Sequence, residues 1–235
     1  MQSAERQVVV ISVLVPVLNR PQNAKPLVDS IRENTTVEHE IIFLVSPGDT
    51  EERAAVVACE VPWIEMGFPA GGGDYAKKIN EGFYCSGGEF VFTAADDLEF
   101  EFGWDTEILR VAENTGAGMV GSNDDANPLV KRGRHSTHSL FSRAYIDTVG
   151  GTFFDGPGIV YCEKYQHQWI DTEAVKAAMD RRQWAFAMMS VVRHHHPFYY
   201  RATPMDDTYR KALGDASEDQ RLYKQRLLQW SGPRR

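Results

Sequence analysis

Short apolar segments alternate along the first half of the chain with segments whose apolar residues recur at helical spacing. The apolar run from Gln7 to Val15 is rich in β-branched residues and stops at Pro16, which predicts a strand buried on both faces. The next segment opens at Pro21 and places apolar residues at positions i, i+3, i+4 and i+7, namely Ala24, Leu27, Val28 and Ile31. This spacing predicts an amphipathic helix.

The same alternation continues to the middle of the chain. Further strands are predicted over His39–Val45, Trp63–Glu65 and Glu89–Thr93. One helix is predicted over Thr50–Cys59 with Thr50 as its N-cap, and another is marked by Ala76, Ile79 and Phe83. Strands and helices that alternate with short connections predict an α/β fold, in which a mostly parallel sheet is flanked by helices on both faces.

The second half of the chain has a less regular pattern. It predicts, in chain order, a helix over 104–113, a strand over 119–121, a polar loop over 123–137, a glycine-rich stretch over 150–158, a helix over 171–182, a strand over 185–193 and a terminal helix over 217–230. A length of 235 residues is ordinary for one α/β domain. We therefore predict a single domain over residues 1–235.

Composition and charge narrow the class of protein only slightly. The longest apolar run, Val8 to Val17, is far short of the roughly 20 residues that cross a bilayer, so no membrane span is expected. The first residues carry no basic segment and no small-residue cleavage site. Three irregularly spaced cysteines suit a reducing compartment, and we expect a cytoplasmic protein. The net charge of −8 argues against binding bulk nucleic acid by charge alone.

Two adjacent acids, Asp96 and Asp97, follow the apolar strand that ends at Thr93. In a parallel sheet, ligands bind beyond the carboxyl ends of the strands, where Asn19, Arg20, Ser46, Asp49 and the loop 71–74 are also expected. Adjacent carboxylates repel each other, and a divalent cation or a set of donors is the usual compensation. A solvated turn with a helix N-cap is the alternative interpretation.

The sequence His194-His195-His196-Pro197 follows the last predicted strand. Alternate residues of an extended segment point the same way, so His194 and His196 share a face and His195 does not. Imidazoles beside carboxylates suit Mn²⁺ or a similar cation. The alternative is a surface feature without a ligand.

Three segments together resemble the GT-A nucleotide-sugar glycosyltransferases, in particular the inverting group called family 2. They are Pro16-Val17-Leu18-Asn19-Arg20-Pro21, Ala76-Lys77-Lys78-Ile79-Asn80-Glu81-Gly82 and Ala95-Asp96-Asp97. The resemblance covers about residues 8–200 and is strongest over 8–110. It implies a Rossmann-like nucleotide-sugar-binding half (7–115), an acceptor and catalytic half (116–205), a helical tail (206–235), and a divalent metal, Mn²⁺ or Mg²⁺, at the donor diphosphate.

The resemblance also implies roles for single residues. It implies that the donor nucleotide is bound by Asp96 and by a set of earlier residues, namely Pro16, Asn19, Arg20, Ser46, Asp49, Lys77 and Asn80. It also implies that Asp97 is a metal ligand, with either His194 or His196 as a further ligand. The sequence departs from the family pattern at Ala95, where the first acid of the motif is expected, and at Ser46, where an acid usually meets the uracil.

An inverting transferase needs a carboxylate that removes the proton of the acceptor hydroxyl. The family places this acid before a helix in the second half, where Asp171 fits best, with Glu173 behind it and Asp155 as a third candidate. Asp171 is equally suited to be a helix N-cap. A basic loop contains Arg132, Arg134, His135 and His138. Its charge suits binding of the diphosphate or of an anionic acceptor, and a solvated loop without a ligand is the alternative.

The sequence thus predicts a metal-dependent transfer of a sugar from a nucleoside diphosphate-sugar, such as a UDP-sugar, to a hydroxyl acceptor, with inversion. A glycan or a modified DNA base is the expected kind of acceptor. A non-catalytic nucleotide- or sugar-binding module and a nucleotidyltransferase are the alternatives. The sequence contains neither a phosphate-binding Gly-x-x-x-x-Gly-Lys loop nor a Gly-x-Ser-x-Gly elbow, which disfavours ATPases of that type and serine hydrolases.

Overall fold

The computed structural model of the chain describes residues 11–71, 73–214 and 216–230. Its strands are β1 (Ile11–Val17), β2 (His39–Val45), β3 (Trp63–Glu65), β4 (Phe90–Thr93), β5 (Leu98–Phe100), β6 (Met119–Asn123), β7 (Ser139–Ser142) and β8 (Trp184–His194). Its helices are α1 (Pro21–Asn34), α2 (Thr50–Ala58), α3 (Asp74–Cys85), α4 (Trp104–Thr115), α5 (Arg143–Val149), α6 (Ile170–Asp180), α7 (Asp207–Gly214) and α8 (Ala216–Gln229).

The strands form one mixed sheet in the order β3-β2-β1-β4-β7-β6-β8-β5. The pairings of β1 with β2 and β4, of β2 with β3, and of β6 with β8 are parallel. Strands β7 and β5 pair antiparallel with their neighbours. Because β7 reverses direction between β4 and β6, the carboxyl ends of β1, β4, β6 and β8 all lie at the same edge. The predicted α/β sheet flanked by helices is confirmed, with β7 and β5 as its antiparallel members.

Each face of the sheet is covered by its own set of helices. On one face Ile11, Val13 and Val15 of β1 pack with buried residues of α1 and α4, including Leu27 and Trp104. On the other face Leu14 packs with buried residues of α3 and α6. All seven positions of β1 are buried, as expected for a central strand with helices on both sides.

Most predicted elements are present near their predicted bounds, and β2 and β3 have the predicted ends. The first predicted strand is described from Ile11, and its residues 7–10 lie outside the described part. The predicted N-cap of α2 is wrong by one residue, because the Asp49 carboxylate, and not Thr50, accepts the Glu52 N–H at 3.2 Å. The pattern missed β5, β7, α5 and α7, which are too short to show a clear periodicity.

Helix α8 packs at the start of α6. The Asp219 carboxylate accepts the backbone N–H groups of residues 166, 167 and 168 at 2.8, 2.9 and 2.7 Å. The Arg226 guanidinium binds the carboxylates of Glu173 and Asp155. The proposed division of the chain into two halves and a tail remains a prediction. Among the helices of the described residues, none is both long and apolar enough to cross a membrane.

Candidate active site

A cavity of about 750 Å³ opens at the carboxyl edge of the sheet. Its walls come from the ends of β1, β4 and β8, the start of α6, and α7. The lining includes Pro16, Asn19, Arg20, Lys78, Asp96, Asp97, Thr137, His138, Trp169, Asp171, His194, His196 and Tyr209. Because parallel strands end at one edge, residues far apart in sequence meet there, as the position of the acid pair predicted.

The acid pair lies on one side of this cavity and is bound by Arg20, whose single charge compensates it only in part. The side chains of Asp96 and Asp97 are each 7% exposed. Arg20 Nη1 lies 3.1 Å from Asp96 Oδ1 and 3.3 Å from Asp97 Oδ2. Arg20 also binds Asp206 through Nε at 2.9 Å, and the ring of Tyr209 lies 3.9 Å from the guanidinium carbon. The segment 206–209 therefore closes over the acid pair from the C-terminal side.

The two oxygens of Asp97 differ in their surroundings. Oδ2 accepts the Tyr209 hydroxyl at 2.5 Å and lies 3.3 Å from His194 Nε2. Oδ1 is buried and has no hydrogen-bond partner among the described residues. Burial disfavours the carboxylate, but His194, Tyr209 and Arg20 together hold the pKa of Asp97 well below its usual range. Burial and the charge of Asp97 raise the pKa of Asp96, and Arg20 opposes this only in part.

The histidine triplet has the predicted alternation. His194 and His196 line the cavity with ring centroids 5.3 Å apart, whereas His195 turns away and binds Glu99 at 2.8 Å. The structure brings His194 to Asp97, while His196 packs 4.9 Å from the ring of Tyr209. The alternative of a surface feature is disfavoured, because both side chains face the cavity.

The acid pair and the histidines suit a divalent cation. The unpartnered Asp97 Oδ1 is a free, buried carboxylate oxygen, and an imidazole lies beside the same carboxyl group. Carboxylate and imidazole are ligands that Mn²⁺ accepts. A second set of possible ligands, Asp155, Cys162 and Glu173, has its ligand atoms within 4.8 Å of one another. Arg226 already binds both carboxylates of that set, so a guanidinium supplies the compensating charge there.

Asp171 lines the same cavity, on the first turn of α6. Its Oδ2 is 3.3 Å from His135 Nε2, and its Oδ1 accepts the Thr172 N–H at 2.6 Å. Although burial opposes ionisation, the charge and hydrogen bond of His135 lower the pKa of Asp171. The same contact raises the pKa of His135, although burial of the imidazole acts to lower it. The N-cap position of α6 is held by Trp169, so the N-cap interpretation of Asp171 is wrong.

The other two candidate bases are engaged elsewhere. Glu173 is 1% exposed and binds Arg226 at 2.7 Å and the Tyr165 hydroxyl at 2.7 Å. Asp155 binds the same Arg226 at 2.6 Å. Neither acid lines the cavity. The geometry corrects the prediction of Glu173 and Asp155 as bases, because both carboxylates neutralise a buried guanidinium.

Of the predicted donor residues, Pro16, Asn19, Arg20 and Asp96 line the cavity. Ser46 and Asp49 do not. Ser46 is 2% exposed, and its hydroxyl has no hydrogen-bond partner among the described residues. Besides capping α2, Asp49 accepts the backbone N–H of Asn19 at 2.9 Å, so it positions the segment after β1.

The two predicted donor residues of α3 also lie outside the cavity lining. Asn80 is buried and accepts the N–H groups of Val160 and Tyr161 at 2.9 and 3.0 Å, so it is a structural link. Lys77 Nζ lies 5.9 Å from the ring of Phe68.

Of the two neighbouring lysines of α3, it is Lys78, one residue further along the helix, that lines the cavity. Its Nζ donates to the Val17 carbonyl at 2.8 Å and lies 3.4 Å from an Asp74 oxygen. Because one residue turns a helix by about 100°, an error of one position moves a side chain to a different face.

Sequence reasoning also missed Tyr209 and Asp206, which contact the acid pair and its arginine. They lie beyond the segments that carry the family resemblance, and no motif marks them. The sequence marks His138 only as one member of a basic loop. Its ring lies 4.9 Å from that of His194, Nδ1 is 3.1 Å from the Thr93 carbonyl, and Nε2 is buried without a partner among the described residues.

The fold and this edge of the sheet define a nucleotide-sugar glycosyltransferase architecture. The sequence model of the family described as "Glycosyl transferase family 2" matches residues 12–167. The chain therefore belongs to glycosyl transferase family 2. Among curated proteins, none matches the sequence significantly.

Solved structures with the same fold include the following three proteins. Mannosyltransferase PcManGT from Pyrobaculum calidifontis, in complex with GDP-Man and Mn²⁺, has a TM-score of 0.62 and 13% identity, over 91% of this chain and 70% of that one. Glucosyl-3-phosphoglycerate synthase from Mycobacterium tuberculosis, in complex with Mn²⁺, UDP and glucosyl-3-phosphoglycerate, has a TM-score of 0.58 and 16% sequence identity. The match covers 88% of this chain and 78% of that one. Residues 1–349 of S. aureus TarS have a TM-score of 0.58 and 12% sequence identity. This match covers 78% of this chain and 59% of that one. At these identities the similarity shows a shared fold.

Proposed function

We propose that the protein transfers a sugar from a nucleoside diphosphate-sugar to a hydroxyl group of an acceptor, with inversion at the sugar carbon. The observation that carries this proposal is one cavity with two different acidic sites. The Asp96–Asp97 pair is bound by Arg20 and His194, and Asp171, which lines the same cavity, is bound by His135. A transfer reaction needs these two functions, a binding site for an anionic leaving group and a base for the attacking hydroxyl.

The donor is expected on the wall formed by the ends of β1 and β4. Pro16 and Asn19 would contact the nucleoside, Asp96 the ribose or sugar, and Arg20 the diphosphate, since a guanidinium matches phosphate oxygens. Related folds in complex with UDP and with GDP-Man support a nucleoside diphosphate-sugar as the donor class. A UDP-sugar is our specific proposal.

Asp97 and His194 would hold a divalent cation, Mn²⁺ or Mg²⁺, with His196 as the alternative imidazole. Such a cation, when bound, supplies positive charge that stabilises the diphosphate leaving group. The free Asp97 Oδ1 supports this assignment, because a buried carboxylate oxygen without a donor is a costly feature for a protein to keep. The Mn²⁺ in related structures supports the same class of ion.

Asp171 would remove the proton of the acceptor hydroxyl. As the hydroxyl oxygen forms its bond to the sugar carbon, the bond from that carbon to the diphosphate oxygen breaks, and the proton moves to the Asp171 carboxylate. A base with a lowered pKa remains ionised at neutral pH and is ready to accept the proton. Thr172 and His135 bind its two oxygens and fix its direction.

Binding and turnover of nucleotide sugars test this proposal. We expect Mn²⁺ with UDP or a UDP-sugar to raise the melting temperature of the wild-type protein and Asp97→Asn to abolish that shift. Asp171→Asn should keep the shift but reduce metal-dependent release of UDP from the sugar nucleotide by a factor of about 100 or more. Asp29→Asn, on the exposed side of α1, is the matched control and should change neither.

Unchanged stabilisation in Asp97→Asn would refute the metal assignment. Full turnover in Asp171→Asn would refute the base. Binding without any turnover in the wild-type protein would favour a non-catalytic module. If neither nucleotides nor sugar nucleotides stabilised the protein, the proposed function would be wrong.

A further inference from the structure

Residues 206–214, which comprise Asp206 and helix α7, lie against the residues that we assign to the donor diphosphate and the cation. We call them the latch segment. Asp206 accepts hydrogen bonds from Arg20 Nε at 2.9 Å and from Arg20 Nη2 at 3.2 Å. Tyr209 donates its hydroxyl to Asp97 Oδ2 at 2.5 Å, and its ring lies 3.9 Å from the guanidinium carbon of Arg20. The latch segment therefore contacts both Arg20 and Asp97.

The contact between Asp206 and Arg20 has the geometry in which a guanidinium binds phosphate. Nε and Nη2 form one edge of the planar guanidinium, and an oxyanion that accepts from both is bound in a bidentate manner. Nη1 is engaged by Asp96 and Asp97 at 3.1 and 3.3 Å. A diphosphate binds this edge of Arg20 only after Asp206 leaves it, because carboxylate and phosphate oxygens accept the same N–H groups.

The contact between Tyr209 and Asp97 occupies the carboxylate that we assign to the cation. Asp97 Oδ2 accepts the Tyr209 hydroxyl and lies 3.3 Å from His194 Nε2, so the two proposed ligand groups contact each other. Asp97 Oδ1 is buried and has no hydrogen-bond partner among the described residues. Arg20 and Tyr209, which both contact this carboxyl group, are 6% and 7% exposed. Opening of the Tyr209 contact therefore gives a cation its access to Asp97.

The latch segment has few other buried contacts. Of the α7 side chains that the structure describes, Tyr209 alone is buried. Asp207 and Arg210 are exposed and form an ion pair with each other at 2.7 Å. A second cavity, of about 580 Å³, is lined by Arg20, Asp206 and Tyr209 as well as by α1. Because two cavities share these side chains, no packed core backs them, and the segment loses little buried apolar surface when it moves.

We propose that the latch segment is autoinhibitory, because Asp206 holds the phosphate-binding edge of Arg20 and Tyr209 holds the carboxylate of Asp97 until a nucleoside diphosphate and its divalent cation displace them. The inference rests on the proposed function, from which it takes the donor site. A diphosphate offers Arg20 more negative charge than one carboxylate does, so the exchange of partners is favourable. The apparent donor affinity is lowered in proportion to the fraction of molecules in which the segment is displaced.

Variants that weaken the two contacts test the proposal. Tyr209→Phe removes the hydroxyl and keeps the ring beside Arg20. Asp206→Asn removes the charge that binds Arg20 but keeps an oxygen that accepts the Tyr209 N–H at the start of α7. Asp207→Asn is the matched control, because it removes the same charge from a side chain of the same segment that is 98% exposed.

Calorimetry measures the binding of UDP with Mn²⁺ to the four proteins. We expect Tyr209→Phe and Asp206→Asn each to bind about tenfold more tightly than the wild-type protein, because each removes a hydrogen bond that holds the closed state. Asp207→Asn should bind within about twofold of wild type. A segment that instead helps to hold the donor predicts weaker binding in the first two variants.

Trypsin cleavage after Arg210 and Lys211, identified by mass spectrometry, reports displacement of the segment without any assumption about activity. Without ligand, Tyr209→Phe and Asp206→Asn should be cleaved there at least threefold faster than wild type and than Asp207→Asn. UDP with Mn²⁺ should speed cleavage of the wild-type protein. A lid that closes over the donor gives the opposite result, which is protection by the ligand.

Equal or weaker binding in both latch variants, beside a wild-type protein that binds, overturns the inference and leaves the proposed function intact. Protection of the wild-type protein from trypsin by UDP with Mn²⁺ also overturns it. If none of the four proteins bound UDP with Mn²⁺, the proposed function and this inference would both be wrong. Binding by the latch variants alone would support both, because it would reveal a donor site that the segment closes.

Discussion

At the scale of single residues, the contact between His135 and Asp171 decides how the proposed base titrates. The pKa of Asp171 is subject to two opposed effects, because burial raises it and the neighbouring imidazole lowers it. The net effect keeps the carboxylate ionised. His135 does not line the cavity, so it acts through Asp171 and is a positioning residue.

Replacing His135 with Gln should therefore shift the pH dependence of the reaction. Without the imidazole, burial dominates and the pKa of Asp171 rises. Because only ionised Asp171 accepts a proton, the acid limb of kcat/KM for metal-dependent UDP release should move to higher pH. His39→Gln is the control, since the hydrogen bond of His39 among the described residues joins its Nδ1 to the Val37 carbonyl at 2.9 Å, far along the chain from Asp171. An acid limb at the same pH in both variants would contradict this role of His135.

At the scale of elements, α8 shapes a cavity wall without lining the cavity. Asp219 on its first turn accepts three consecutive backbone N–H groups, of residues 166, 167 and 168, and these residues line the cavity. A carboxylate has enough lone pairs for three donors, whereas an amide has one oxygen and would direct its NH₂ group at a donor. The short loop before α6 thus depends on a helix more than 45 residues later in the chain.

Asp219→Asn is expected to destabilise the protein by about 1–3 kcal/mol, since it leaves partly buried N–H groups without a full set of acceptors. Urea unfolding followed by circular dichroism measures the change in the free energy of unfolding. Glu218→Gln is the matched control, because Glu218 is 67% exposed and its partner Arg221 is 3.5 Å away. That control should change stability by less than about 0.5 kcal/mol. Equal stability of the two variants would show that α8 does not hold this loop.

At the scale of the whole molecule, Arg226 joins the C-terminal helix α8 to α6 and to the glycine-rich segment before it. Its guanidinium binds Glu173 on α6 and Asp155 in the glycine-rich segment, at 2.7 and 2.6 Å. Glu173 is 1% exposed. A carboxylate this deeply buried depends on its cation, because the interior stabilises an unpaired charge poorly.

Arg226→Met should therefore lower the free energy of unfolding by about 3–5 kcal/mol, and adding Glu173→Gln should restore part of that loss. The reason is that Met leaves the buried Glu173 carboxyl without its cation, whereas Gln does not need one. Equilibrium denaturation of both variants gives the two values. Arg221→Met, at a pair where Arg221 is 76% exposed, should change stability by less than about 0.5 kcal/mol. A loss below about 1 kcal/mol in Arg226→Met would contradict this account.

The sequence by itself determined the alternation of strands and helices, because burial on both faces leaves continuous apolar runs and burial on one face leaves a helical stripe. It therefore indicated β1, β2, α1 and the edge of the sheet where Asp96 and Asp97 lie. The alternation of His194 and His196 also followed from local geometry, since neighbouring residues of a strand point in opposite directions.

Only the tertiary structure decided which side chains meet at that edge. The choice of Lys78 over Lys77 depends on the rotation of α3 against the sheet. The removal of Glu173 from the candidate bases depends on Arg226, which lies 53 residues away in sequence. Tyr209 reaches Asp97 across 112 residues. Contacts of this kind leave no local pattern, because they arise from the way distant elements pack and not from the periodicity of either one.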